Sequence, residues 1–157
     1  MKTDWIIHPL LREEFSNILS GSDAKLRSQG VQVHMVDQCP GYPCRVSLQD
    51  LPIGEIALLF HFQHHKVFSL YRASVPVFVG KQSQTASPEP NTIPSMLKMR
   101  SLSIRAYDSS GDMVCAEVVL GSEVESALDR FFDNDDIKNV HIHFARQGCY
   151  VCRVERA

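Results

Sequence analysis

At residue 31 the apolar residues begin to recur at every second position, and most of the segments that follow keep a period that admits strands and little else. Val31, Val33 and Met35 alternate with Gln32, His34 and Val36. Residues 55–62, EIALLFHF, are apolar on both faces, as in a central strand. Further strands are expected at 44–48, 75–79, 102–107 and 113–119, the last two joined by the turn DSSGD. The pattern closes on VHIHFARQGCYVCRV, residues 140–154, a second hairpin.

Ahead of residue 31 the period is helical. Pro9 suits a first helical position, Leu10, Leu11, Phe15, Ile18 and Leu19 keep helical spacing, and Gly21 ends a helix over 8–20. Ser22 caps a second, short helix that stops at Gly30. One late helix is announced by Ser122 with Glu125 three residues on, and by the stripe Val124, Leu128, Phe131 and Phe132. The expected fold is α+β, a largely antiparallel sheet with two N-terminal helices and one late helix packed on it. At 157 residues the chain reads as a single domain, 1–157, with a helical segment over 1–30 and a surface loop over 81–95 (KQSQTASPEPNTIPS).

A net charge of −2 with interspersed signs leaves no basic stripe, so nucleic acid is not an expected partner. No run reaches the roughly 20 apolar residues of a membrane span. Asp4, His8, Arg12, Glu13 and Glu14 break any signal-peptide core, which points to the cytoplasm. Five cysteines, an odd number, argue against a disulfide framework. They leave buried thiols, metal ligands or one reactive thiol.

The last hairpin decides which of its side chains share a face, because turn length sets register. A two- or four-residue loop pairs Phe144 with Cys149. A three-residue loop, Arg146-Gln147-Gly148, puts glycine at the left-handed position of a bulged turn. Val140, Ile142, Phe144, Tyr150, Cys152 and Val154 then form one apolar face, and His141, His143, Cys149, Val151 and Arg153 the other. Turn chemistry and hydrophobic sorting both favour this second register. Cys149 is then the thiol beside the histidines, and Cys152 belongs to the core.

Three chemistries compete. Cys39, Cys44, Cys149 and Cys152 look superficially like a four-sulfur zinc set, but Cys149 and Cys152 diverge on one strand. No metal set is assigned; His141 and His143, i and i+2 on one face, are the pair that would ligate one. A thiolate–imidazole pair would make Cys149 the nucleophile and His143 its acid/base partner. An anion pocket would use Arg45, Tyr71 and Arg72, since guanidinium forks match carboxylate and phosphate. HFQHH adds His61, His64 and His65 at a strand end. Each has a plain alternative: strand histidines, a buried thiol, solvated arginines. Hydrolase, P-loop and dinucleotide fingerprints are missing from the sequence.

The blocks PGYPCRVSLQD, YRASVPVFV, LSIRAYDSSGDMV and HIHFARQGCYVCRVERA occur in an order that resembles a bacterial family known as domain of unknown function 1203. The resemblance runs from about Val31 to the C-terminus. It implies Pro43, Cys44, Arg45, His64, Tyr71, Arg72, Ala73, Ser74, His141, Gly148 and Cys149 as family positions, and implies no activity. The family often has alanine at Cys152, and Cys39 is not a typical position, which disfavours a four-cysteine site.

These readings converge on a small-molecule pocket, catalytic or purely binding, for an anionic ligand. Cys44, Arg45, His64, Tyr71, Arg72 and His141 would bind, with Cys149 and His143 as reactive groups. The alternatives are a protein-interaction domain using the 81–95 loop, or a histidine-ligated metal protein. Cofactor and oligomeric state are not legible.

Overall fold

The computed structural model describes residues 2–157. Its strands are β1 (Trp5–His8), β2 (Gln32–Met35), β3 (Ile56–His65), β4 (Ala73–Gly80), β5 (Ser101–Tyr107), β6 (Met113–Leu120), β7 (Asn139–Phe144) and β8 (Tyr150–Arg156). The α-helices are α1 (Ser16–Leu19), α2 (Asp23–Ser28), α3 (Ser95–Lys98) and α4 (Val124–Phe132). The fold is α+β, and every register-defined strand pair is antiparallel. The chain forms two compact units: Met1–His8, Gln63–Val75 and Ser87–Ala157 make one, Pro9–Phe62 and Pro76–Ala86 the other.

The first unit is built on a five-stranded sheet in the order β1-β8-β7-β5-β6. Pairing and alternation divide it cleanly. Ile7, Val154, Val140, Ala106, Cys152, Ile142, Ile104, Phe144, Leu102 and Val119 lie on one face, and all are buried. Helix α4 belongs to that face. Its stripe of Val124, Ala127, Leu128, Phe131 and Phe132 is buried, and Arg156 at the end of β8 donates to the Phe132 carbonyl at 2.9 Å. The opposite face carries Arg105 and Ser103 on β5, His141 and His143 on β7, and Arg153 on β8.

Strand β1 replaces the start of the helix expected over 8–20. Trp5 and Ile7 alternate inward and β1 pairs along β8, Ile7 opposite Val154. The partner lies at the other end of the chain, where no local periodicity can reveal it. Pro9 lacks the N–H needed to extend the ladder, and helical structure starts only at Arg12, as a 3-10 turn leading into α1. The late helix also begins earlier than Ser122 implies. A 3-10 turn over Gly121–Glu123 precedes α4, and the Glu123 carboxylate, rather than Glu125, accepts from the Leu120 N–H at 3.2 Å. Glycine is required at 121, where a Cβ would stand 2.1 Å from the Leu97 carbonyl oxygen.

The second unit contains α1, α2, β2 and most of β3 and β4, in the strand order β2-β3-β4. Ser22 caps α2 by accepting from Lys25 N–H, and Gly30 leaves it at φ 80°. Residues 44–48 are not the expected strand. The Leu48 N–H donates back to the Cys44 carbonyl, and Leu48 has φ 54°. Cys44, Val46 and Leu48 are buried all the same, so a tight turn does the burying that alternation suggests. The 81–95 stretch lacks regular structure up to residue 94, but Ser83 and Ile93 within it are buried.

Trp5 ties β1 to α4: its indole N–H donates to Asp129 at 2.9 Å and its side chain is fully buried. Trp5→Ala should cost about 3–5 kcal/mol in urea denaturation, with Trp5→Phe losing distinctly less. Equal and negligible losses would mean that β1 is not part of the core.

Candidate metal centre

The site begins with the alternation of β7. With Val140 and Ile142 committed to the α4 side, His141 and His143 must point the other way. Each is buried, at 2% and 0% exposure. Across β5, Arg105 stands opposite His141 and Ser103 opposite His143. Across β8, Arg153 stands opposite His141.

The β7–β8 hairpin combines both registers weighed from the sequence. Val140 pairs with Val154 and Ile142 with Cys152, as a three-residue loop would have it. Beyond Ile142 the register slips by one, so that His143 pairs with Tyr150 and the Phe144 N–H donates to the Cys149 carbonyl. Gly148 does adopt a left-handed φ of 76°, but in a four-residue loop closed by its N–H on the Phe144 carbonyl. The bulge corrects the expected sorting at two residues. Tyr150 joins the histidines instead of the apolar face, and Cys149 stands across from Phe144.

The third contribution comes from the segment Gln63–Val75, which joins the ends of β3 and β4. His64 Nδ1 lies 3.4 Å from His141 Nδ1, and the His64 ring is 4.9 Å from those of His143 and Tyr150, stacked on the latter. His65 packs against Tyr107 at 4.0 Å and edge-on to His141 at 5.0 Å. Two backbone carbonyls orient these rings. His65 Nε2–H donates to Gly111 at 2.9 Å, and His143 Nδ1–H to Gly148 at 3.0 Å. The second bond leaves Nε2 as the basic nitrogen of His143. His64 Nε2 is sealed from solvent with no hydrogen-bond partner among the described residues. An unsatisfied buried polar atom of this kind costs about 1–3 kcal/mol.

Burial and neighbouring charges keep His64 and His141 neutral. Burial pushes His141 down to about 2, helped by His64, His65, His143 and Arg153. Burial pushes His64 down to about 4, helped by His65 and Arg105. Tyr107 is pushed up, chiefly by burial. Neutral imidazole is the metal-binding form. One donor nitrogen from each of His64, His141 and His143 lies within 4.8 Å of the others, the one such group of His, Cys, Asp or Glu among the described residues. A zinc–nitrogen bond of 2.0–2.1 Å gives a tetrahedral edge of roughly 3.3 Å, close to the 3.4 Å between His64 and His141. The three residues therefore suit a metal ion in donor type, and His64 and His141 also in protonation and in the spacing of their donor atoms.

The other sequence candidates are distributed as follows. Tyr71 is exposed. Arg72 is exposed and reaches the Ser69 carbonyl at 3.4 Å. Cys149 is half-buried, its thiol 3.9 Å from the Gln147 carbonyl. Cys44 and Arg45 belong to the second unit. There the Cys44 sulfur accepts from Gly80 and Ser47 N–H groups, and Arg45, 2% exposed, donates to the Pro43 carbonyl at 2.7 Å. Sequence reasoning overlooked Tyr107, Arg105 and Tyr150. LSIRAY signals the first two only once β5 is known to lie beside β7, and Tyr150 depends on the bulge.

Depressed histidine pKa values set a pH dependence. Below the ordinary histidine value of 6.5 the unfolded chain takes up protons that folded His64 and His141 refuse, so stability falls with pH. Metal-free protein should lose stability progressively from pH 6.5 down to about 4, where His64 charges in the fold, with His141 continuing below. Urea midpoints taken across that range should fall more steeply than those of His141→Gln. Parallel profiles would mean that His141 is not held neutral.

No curated protein and no solved structure matches the chain. One family model does, over residues 41–156, which covers β3 to β8 and all three clustered histidines. By that match the chain belongs to the family described as Protein of unknown function (DUF1203).

Proposed function

We propose that this protein binds a divalent transition metal through His64, His141 and His143, and presents it to a small-molecule ligand. The observation that carries this reading is the convergence of three imidazole nitrogens within 4.8 Å, contributed by two separate segments of the chain. Imidazole donors suit zinc, copper, iron and nickel, and zinc is the first expectation. A site with three protein ligands leaves a coordination position open, the arrangement found in catalytic rather than structural zinc sites.

The protein's own contribution is positioning. Gly148 and the bulge set the His143 ring through Nδ1, so that Nε2 is the nitrogen with a lone pair. Burial keeps His64 and His141 unprotonated at neutral pH, so protons compete little for the donor atoms. The bound ion would supply Lewis acidity. Tyr150 and Tyr107 pack against the histidine rings and hold them in place.

Elemental analysis of tag-free protein tests the reading. Near-stoichiometric zinc, or another divalent transition metal, is expected in the wild type. It should be lost in His64→Ala and His143→Ala variants that keep their circular dichroism spectrum, and retained in Cys149→Ala. A wild type that holds no metal and takes up none on titration with zinc chloride would reduce the cluster to aromatic packing.

A further inference from the structure

We infer that the ligand presented to this metal is a small oxyanion, a carboxylate or a phosphate, gripped by Arg105 beside the histidines. The inference rests on the three-histidine reading above and names the class of molecule that would complete it.

The sheet register places this arginine. Arg105 occupies the β5 position directly across from His141, on the same face. Its side chain then runs along β5 rather than out to solvent, because Nε donates to Ser103 Oγ at 3.1 Å. Ser103 is the residue directly across from His143. The guanidinium group is thus anchored along the row of both β7 histidines, and its charge is felt by His64 as well.

Charge balance points the same way. His64, His141 and His143 are all neutral donors, so a divalent ion held by them keeps its full charge of +2. Arg105 adds another positive charge, is only half-buried, and forms no ion pair with a carboxylate among the described residues. An anion held between two cationic centres on one sheet face offsets their mutual repulsion. A carboxylate or phosphate can do so, offering one oxygen to the metal and others to the guanidinium fork. Arg153, across from His141 on the other side, differs because its Nε already lies 3.2 Å from Glu155. The gripping role therefore falls to Arg105.

The test uses full-length protein loaded with cobalt(II), whose visible absorption reports changes in coordination. Cobalt stoichiometry is read first, and acetate and inorganic phosphate are then titrated as probes. The wild type should show a saturable spectral change with at least one of them. Arg105→Ala should bind cobalt as before and weaken the anion on the order of tenfold, the loss expected for a charge-assisted hydrogen bond. Arg105→Lys should recover part of the affinity, since it restores charge without the fork. Arg153→Ala should change affinity by no more than about twofold, as its charge is already paired at the surface.

A cobalt-loaded wild type that ignores both anions would overturn the inference and leave the metal site standing. The inference also fails if Arg105→Ala binds the anions as tightly as wild type, or if Arg153→Ala does the greater damage. A chain that takes up no cobalt overturns the metal reading and this inference with it.

Discussion

The candidate site depends on the two faces of one antiparallel sheet being unlike. Burial of Val140, Ile142, Cys152 and Val154 on the α4 side leaves the alternate positions of β7 and β8 no choice of direction. That places His141, His143, Arg105 and Arg153 on the face away from α4. Hydrophobic burial of about 25 cal/mol per Å² of apolar surface thus organises polar chemistry on the other face. A slip of one residue along β7 would exchange the two sets and destroy core and site together.

The bulge after Ile142 refines that arrangement. Without it Tyr150 would face α4 and the His64 ring would lose the partner on which it stacks at 4.9 Å. With it, aromatic rings surround the histidines and exclude water. The same exclusion drives the histidine pKa values down, and it leaves His64 Nε2 sealed without a hydrogen bond. Packing and the neutrality of His64 and His141 therefore share one cause.

The five cysteines take unequal parts. Cys44 and Cys152 are buried, Cys39 and Cys115 exposed, and Cys149 lies between. The Cys44 sulfur accepts backbone N–H groups at 3.3 and 3.4 Å, which makes it part of a turn. In a regularly alternating strand, C-x2-C spacing sends its two thiols to opposite faces. Residue type is a weaker guide to function here than the face on which a residue stands.

The fold class, the β5–β6 hairpin, the core stripe of α4, the left-handed Gly148 and the face carried by His141 and His143 were all legible in the sequence. Each follows from local periodicity or from the backbone preference of one residue. Tertiary structure alone decided the rest. β1 takes its partner from the far end of the chain, residues 44–48 turn instead of extending, and Tyr150 reaches the histidines through a bulge. His64 meets His141 across 77 residues of sequence. Such meetings are set by loop closure and by which surfaces can be buried together, neither of which leaves a trace in the spacing of neighbouring residues.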